Sequence, residues 1–189
     1  NENAVLGSAG NPNTSYITYS NNPNNEQGGE EGKTPEDKVI VFTYKVVVDK
    51  VDEQDAPLKG AGFTLYKKDA SGNYVAVGDE LKGTELTTFE WKGLDDGDYK
   101  LVETTTPAGY NTIEPIEFTI SAEHDTEAVD PKLTKLEGGD MFTGDVNTGE
   151  PTADVVNEKG ATLPETGAQG TKMIYMVGGI LVAAAAILL

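Results

Sequence analysis

Through the middle of this 189-residue chain, apolar and polar positions alternate with a period of two. The run Val39-Ile-Val-Phe-Thr-Tyr-Lys-Val-Val-Val-Asp-Lys-Val51 is β-branched and aromatic, which predicts a long first strand. Further strands are predicted at 62–66, 73–77, 88–91, 98–103, 115–120 and 153–157. The stretch 125–151 reads as a long loop with one weak strand around 132–136. Turn chemistry separates these runs, as in Asp69-Ala-Ser-Gly-Asn73 and Asp95-Asp-Gly97, where Gly and Asp supply the backbone angles of tight turns. No segment shows a period of 3.6, so the fold class is all-β, a sandwich of short strands.

The pattern changes at both ends. Residues 1–37 are rich in Asn, Gly, Pro, Ser and Glu and predict a linker, preceded by a short strand at 16–19 that would close an upstream domain. Residues 38–160 hold the sandwich. From 161 to 189 the chain turns into a short polar segment followed by the unbroken apolar run Met173 to Leu189, slightly shorter than the ~20 residues that cross a bilayer as a helix. That run has no polar face, and a small sandwich offers nowhere to bury it. It therefore predicts a transient membrane helix over 173–189, although no basic flank follows it. The chain opens Asn1-Glu-Asn-Ala without a leader-like segment, and the export-type tail predicts a portion of a longer protein.

Side-chain parity singles out three polar groups. On the first strand Phe42, Tyr44, Val46 and Val48 share a face, and Lys50 is the next residue on it. Tyr99 and Leu101 likewise lead to Glu103, and Ala153 and Val155 lead to Asn157. Each of three apolar rows ends in a group able to bond to the other two. An unpaired buried ion costs several kcal/mol, so if all three ends point inward they are expected to meet; the other reading of the same parity is a set of exposed strand ends or a hydrogen-bonded ion cluster. Lys45 is the alternative amine and Asn147 the alternative amide.

Charge and composition narrow the function. A formal net charge of -18 repels nucleic-acid phosphates, so no nucleic-acid partner is expected. With no cysteine there is no disulfide, thiolate metal site or thiol nucleophile. No catalytic or phosphate-binding motif occurs, and the single histidine, His124, sits in a polar run that predicts a solvated loop. The turn Asp95-Asp-Gly-Asp98 lacks the spacing of an EF-hand loop. No metal and no cofactor are expected, and the chain does not read as a turnover enzyme.

Leu163-Pro-Glu-Thr-Gly167, placed just before the apolar run, resembles the LPXTG cell-wall sorting signal of Gram-positive surface proteins at all five positions, Leu163, Pro164, Glu165, Thr166 and Gly167. Pro164 stiffens an extended peptide that an enzyme can grip. The resemblance implies that a sortase thiolate attacks the Thr166 carbonyl, cuts Thr166–Gly167 and passes the acyl group to an amine. That amine belongs to peptidoglycan or to a lysine of a neighbouring pilin subunit. The implied location is the cell surface, covalently on the wall, reached through a membrane-anchored precursor.

A second resemblance covers about 36–160. The segments Lys50-Val-Asp52, Pro57-Leu-Lys-Gly-Ala-Gly-Phe-Thr-Leu-Tyr66, Gly97-Asp-Tyr-Lys-Leu-Val-Glu-Thr-Thr-Thr-Pro-Ala-Gly-Tyr110 and Val155-Val-Asn157 resemble a Cna B-type domain of Gram-positive pilins and adhesins, an Ig-like sandwich. The piece from Tyr99 to Tyr110 matches the pilin E-box. The resemblance implies an isopeptide bond between Lys50 and Asn157, assisted by Glu103. Burial disfavours the charged forms of both an amine and an acid. A neutral amine would attack the amide while the acid polarises the amide oxygen and moves protons, a single event per molecule. Near the N-terminus, Asn11-Pro-Asn-Thr-Ser-Tyr resembles the end of a pilin middle domain, in which Asn13 would be the isopeptide amide. These likenesses imply a structural pilin subunit; the alternative is a stalk that holds an adhesin off the wall without polymerising.

Overall fold

The structure is a computed structural model that describes residues 4–21, 24, 30–125, 128 and 130–160. A short 3-10 turn (Gly7–Ala9) leads into strands β1 (Asn11–Ser15), β2 (Thr18–Ser20), β3 (Glu31–Lys33) and β4 (Asp37–Val41). The sandwich follows with β5 (Tyr44–Asp52), β6 (Gly62–Lys68), β7 (Tyr74–Ala76), β8 (Leu81–Lys82), β9 (Thr88–Leu94), β10 (Gly97–Thr105) and β11 (Ile116–His124). It closes with β12 (Leu133–Glu137), β13 (Thr143–Asp145) and β14 (Glu150–Asn157).

Two sheets face each other. One has the order β13-β14-β5-β9 and the other β12-β11-β10-β6-β7, with β8 also paired to β6. Between them lie Tyr44, Val46 and Val48 of β5, Phe89 and Trp91 of β9 and Val155 of β14, packed on Phe63 and Leu65 of β6, Tyr99 and Leu101 of β10 and Ile120 of β11. Phe63 and Phe89 meet edge to face at 4.9 Å between centroids, the arrangement that ring quadrupoles favour. The alternation that predicts the strands is the alternation that fills this core, and each large apolar side chain buried here contributes roughly 1.5–3 kcal/mol.

The predicted first strand is two strands. Phe42 and Thr43 break it, and the halves pair with different partners: β4 lies antiparallel to β1, whereas β5 lies between β14 and β9. Residues predicted as linker are paired as well, β1 with β4 and β2 with β3, in two two-stranded ribbons. Their backbone bonds form with little side-chain burial, so composition signals only β2, which overlaps the short strand expected at 16–19. The loop predicted over 125–151 contains β12 and also β13. The expected Asp69–Asn73 turn forms as its residues suggest: Asp69 Oδ1 accepts from Ser71 and Asn73 N–H at 2.8 Å each, and Gly72 takes a positive φ of 84°.

One topological feature positions the site. The last strand, β14, lies parallel to the first sandwich strand, β5, with Val155 opposite Lys50 and Asn157 opposite Asp52.

Candidate functional site

Lys50, Glu103 and Asn157 all point into the sandwich at one end of the core, with fractional exposures of 0%, 4% and 0%. The parity of β5, β10 and β14 brings them there. Lys50 Nζ donates to the Val155 carbonyl at 2.6 Å and to the Val51 carbonyl at 2.8 Å. It thereby lies against β14 just before Asn157. Burial lowers the Lys50 pKa to about 8, against the opposing pull of the Glu103 and Asp52 carboxylates.

Asn157 is held by its nitrogen. Nδ2 donates to Glu103 Oε1 at 2.9 Å, to Glu103 Oε2 at 3.0 Å and to the main-chain carbonyl of Asn111 at 2.9 Å. A carbonyl can only accept, so the amide group beside Asn111 must be the NH2. Glu103 therefore faces the nitrogen of the amide, not its oxygen, which differs from the polarising role expected from the sequence. Asn157 Oδ1 is buried and has no hydrogen-bond partner among the described residues. Leaving such an atom bare costs on the order of 1–3 kcal/mol, and an orphan inside an otherwise bonded cluster calls for a functional explanation.

The loop after β10 completes the pocket, and sequence reasoning did not include it. Ile113 N–H donates to Glu103 Oε2 at 3.1 Å, and Asn111 N–H ties the loop to the Glu158 carbonyl at 2.9 Å. The readable signal was the Pro107-Ala-Gly-Tyr110 turn, where Tyr110 N–H bonds the Pro107 carbonyl at 3.2 Å and turns the chain back over Glu103.

The alternatives lie elsewhere. Lys45 is on the opposite face of β5, within 3.0 Å of Glu90 and 2.7 Å of Glu150. Its partial burial works against charge, but the bonds to Glu150 and Glu90 win and its pKa is raised. Asn147 is exposed in the turn between β13 and β14. Asn13 is exposed on β1, opposite Val39. His124 departs from the expected solvated loop: it ends β11, stacks on Phe42 at 4.4 Å, and its Nε2 is 3.2 Å from the Tyr44 hydroxyl. The sorting pentapeptide 163–167 and the apolar run 173–189 lie outside the described residues.

A pair of β-sheets whose first and last strands run side by side, with a buried lysine, glutamate and asparagine between them, defines a class of β-sandwich with a polar trio in its core. Residues 44–135 match the family model described as the SpaA prealbumin-like fold domain. Over 167 residues the chain is 30% identical to the trypsin-resistant surface T6 protein of Streptococcus pyogenes serotype M6, a match that covers 82% of this chain and 30% of that protein. A solved structure described as the T6 backbone pilin of serotype M6 Streptococcus pyogenes, with a modular three-domain structure, superposes with a TM-score of 0.55 at 24% identity, covering 85% of this chain and 45% of the other. The group B streptococcus pilus 2b backbone protein gives a TM-score of 0.48 at 22% identity, covering 71% of this chain and 50% of the other. The chain carries a SpaA-type prealbumin-like domain and is homologous to pilin backbone subunits. It spans about a third of the length of the T6 relative.

Proposed function

We propose that this chain is part of a structural subunit of a surface pilus, and that its sandwich is braced by an isopeptide bond between Lys50 and Asn157. The observation that carries the brace is the shared burial of Lys50, Glu103 and Asn157 across the two parallel strands that begin and end the sandwich. In the reaction, neutral Lys50 Nζ attacks Cγ of Asn157 and a C–N bond forms. The bond from Cγ to Nδ2 breaks, Glu103 delivers a proton to Nδ2 and takes one from the attacking nitrogen, and ammonia leaves. Glu103 ends in the state in which it began, so each molecule reacts once.

Homology to pilin backbone subunits supports the fibre reading. The 163–167 pentapeptide then serves as the cleavage site of a sortase, which joins Thr166 to an amine of peptidoglycan or of a neighbouring subunit. The apolar run 173–189 holds the precursor at the membrane until that cut. The finished subunit is covalently fixed at the cell surface.

Intact mass of the full chain tests the brace. The expected result is a deficit of one ammonia, absent in Lys50→Ala and Glu103→Ala; a wild-type chain of full mass removes the crosslink. For anchoring, incubation with a sortase and an amine acceptor is expected to give a product ending at Thr166, and Thr166→Ala is expected to give none. Product from Thr166→Ala would contradict that assignment.

A further inference from the structure

The loop after β10 brings two hydroxyls to the buried carboxylate. Thr106 Oγ1 comes within 3.5 Å of Glu103 Oε2, and within 2.6 Å of Thr112 Oγ1. A hydroxyl has one hydrogen to give. With Glu103 ionised and able only to accept, both bonds exist together only if Thr112 donates to Thr106 and Thr106 donates to Glu103. Thr106 is half-buried and Thr112 is exposed, so the two O–H groups form a directed line from solvent to a carboxylate that is itself 4% exposed.

Such a line matters because of how Lys50 is bonded. Its Nζ donates to the carbonyls of Val51 and Val155, and no ion pair among the described residues joins it to Glu103. Before attack, the resting Lys50 ammonium therefore has no direct hydrogen bond along which to hand a proton to Glu103; the nitrogen comes within reach of that carboxyl only once it is bonded to Cγ of Asn157. Glu103 nevertheless faces the nitrogen that must leave as ammonia, and it needs a proton to expel it.

We propose that Thr112 and Thr106 are a proton inlet that loads Glu103 from solvent, and that this pair sets the rate at which the Lys50–Asn157 bond forms. The inference rests on the crosslinking reading above. In the loading step, water gives a proton to Thr112 as Thr112 passes its own to Thr106 and Thr106 passes its own to Oε2 of Glu103. One proton is gained by the carboxylate and one is lost by solvent. The ammonium of Lys50 gives its proton to solvent separately, and the charge of the pocket is unchanged. Expulsion of ammonia then proceeds with the loaded acid, whose proton is replaced by the one released from the attacking nitrogen.

The test follows crosslinking in time. Full-length chain is made by cell-free translation, quenched at intervals into acid, and weighed intact. Thr112→Val and Thr106→Val are expected to slow the loss of ammonia by about tenfold or more, the lower range for removing an acid–base element. Thr106→Ser and Thr112→Ser are expected to keep the wild-type rate, because they restore the hydroxyl without the methyl. A packing role would fail that rescue. Thr112 is exposed, so its valine variant keeps the fold even where Thr106→Val does not. Valine variants that react as fast as wild type, or serine variants as slow as the valines, overturn the inlet while leaving the crosslink intact. A wild-type chain that never loses ammonia removes the crosslink itself, and the inlet with it.

Discussion

At the scale of single residues, the proposed crosslinking depends on Lys50 losing its charge. Burial pulls its pKa down to about 8, so the neutral form, the one with a lone pair to give, becomes the major form above about pH 8. Below that, each unit of pH removes about nine-tenths of the reactive amine. The Lys50 amine of an Asn157→Ala chain, which cannot crosslink, is thus expected to titrate with a midpoint near pH 8. Nitrogen-15 NMR of its Nζ checks it; a midpoint near 10.5 would mean an ordinary, solvated lysine. The three polar residues were legible in the sequence because each ends an apolar row, and period-two parity does not depend on exact strand ends. The orientation of the Asn157 amide was not legible. It is set by the main-chain carbonyl of Asn111, and a carbonyl on a distant loop leaves no mark in residue identity.

At the scale of elements, long strands were readable and the shortest were only partly so: the three-residue β7 falls within the strand expected at 73–77, but β8 and β13 were not expected. β5, β10 and β14 each carry enough alternation to declare a face, whereas β8 has two residues and β13 three, too few for any period to show. Pro151 hid the start of β14, since proline argues against an inner strand, yet it pairs with Gly144 of the short β13. The N-terminal segment docks through a contact of two glycines. A Cβ on Gly7 would lie 2.4 Å from the Asn147 carbonyl oxygen, and its φ of +72° already disfavours a side chain. Gly7→Ala is therefore expected to release the 3-10 turn while sparing the sandwich. Hydrogen exchange at the Gly7 amide, which bonds the Thr43 carbonyl at 3.2 Å, should rise while exchange in β10 stays put. Between the sheets, Phe63→Ala removes a fully buried ring packed on Phe89 and is expected to cost about 3–5 kcal/mol, read by denaturant unfolding in the Lys50→Ala background.

At the scale of the molecule, the parallel pairing of β5 and β14 decides how the domain carries load. A pull that enters at the N-terminal end of β5 and leaves at the C-terminal end of β14 shears six register pairs together rather than peeling them one by one. The proposed bond lies at the far end of that shear zone, between Lys50 and Asn157, and would pass the force across before the intervening chain could extend. It would also close a loop on the order of 100 residues, worth roughly 4–5 kcal/mol in the chain-entropy account of crosslinks. The two effects separate under tension. Pulled between its N-terminus and residue 160, wild-type chain is expected to show no unfolding step from the sandwich. Lys50→Ala is expected to release the residues between the two strands in one step of roughly 350 Å, at about 3.3–3.6 Å per residue. A step of that size in wild type would mean that the load runs through the hydrogen bonds alone, and that the buried trio holds the strands without joining them.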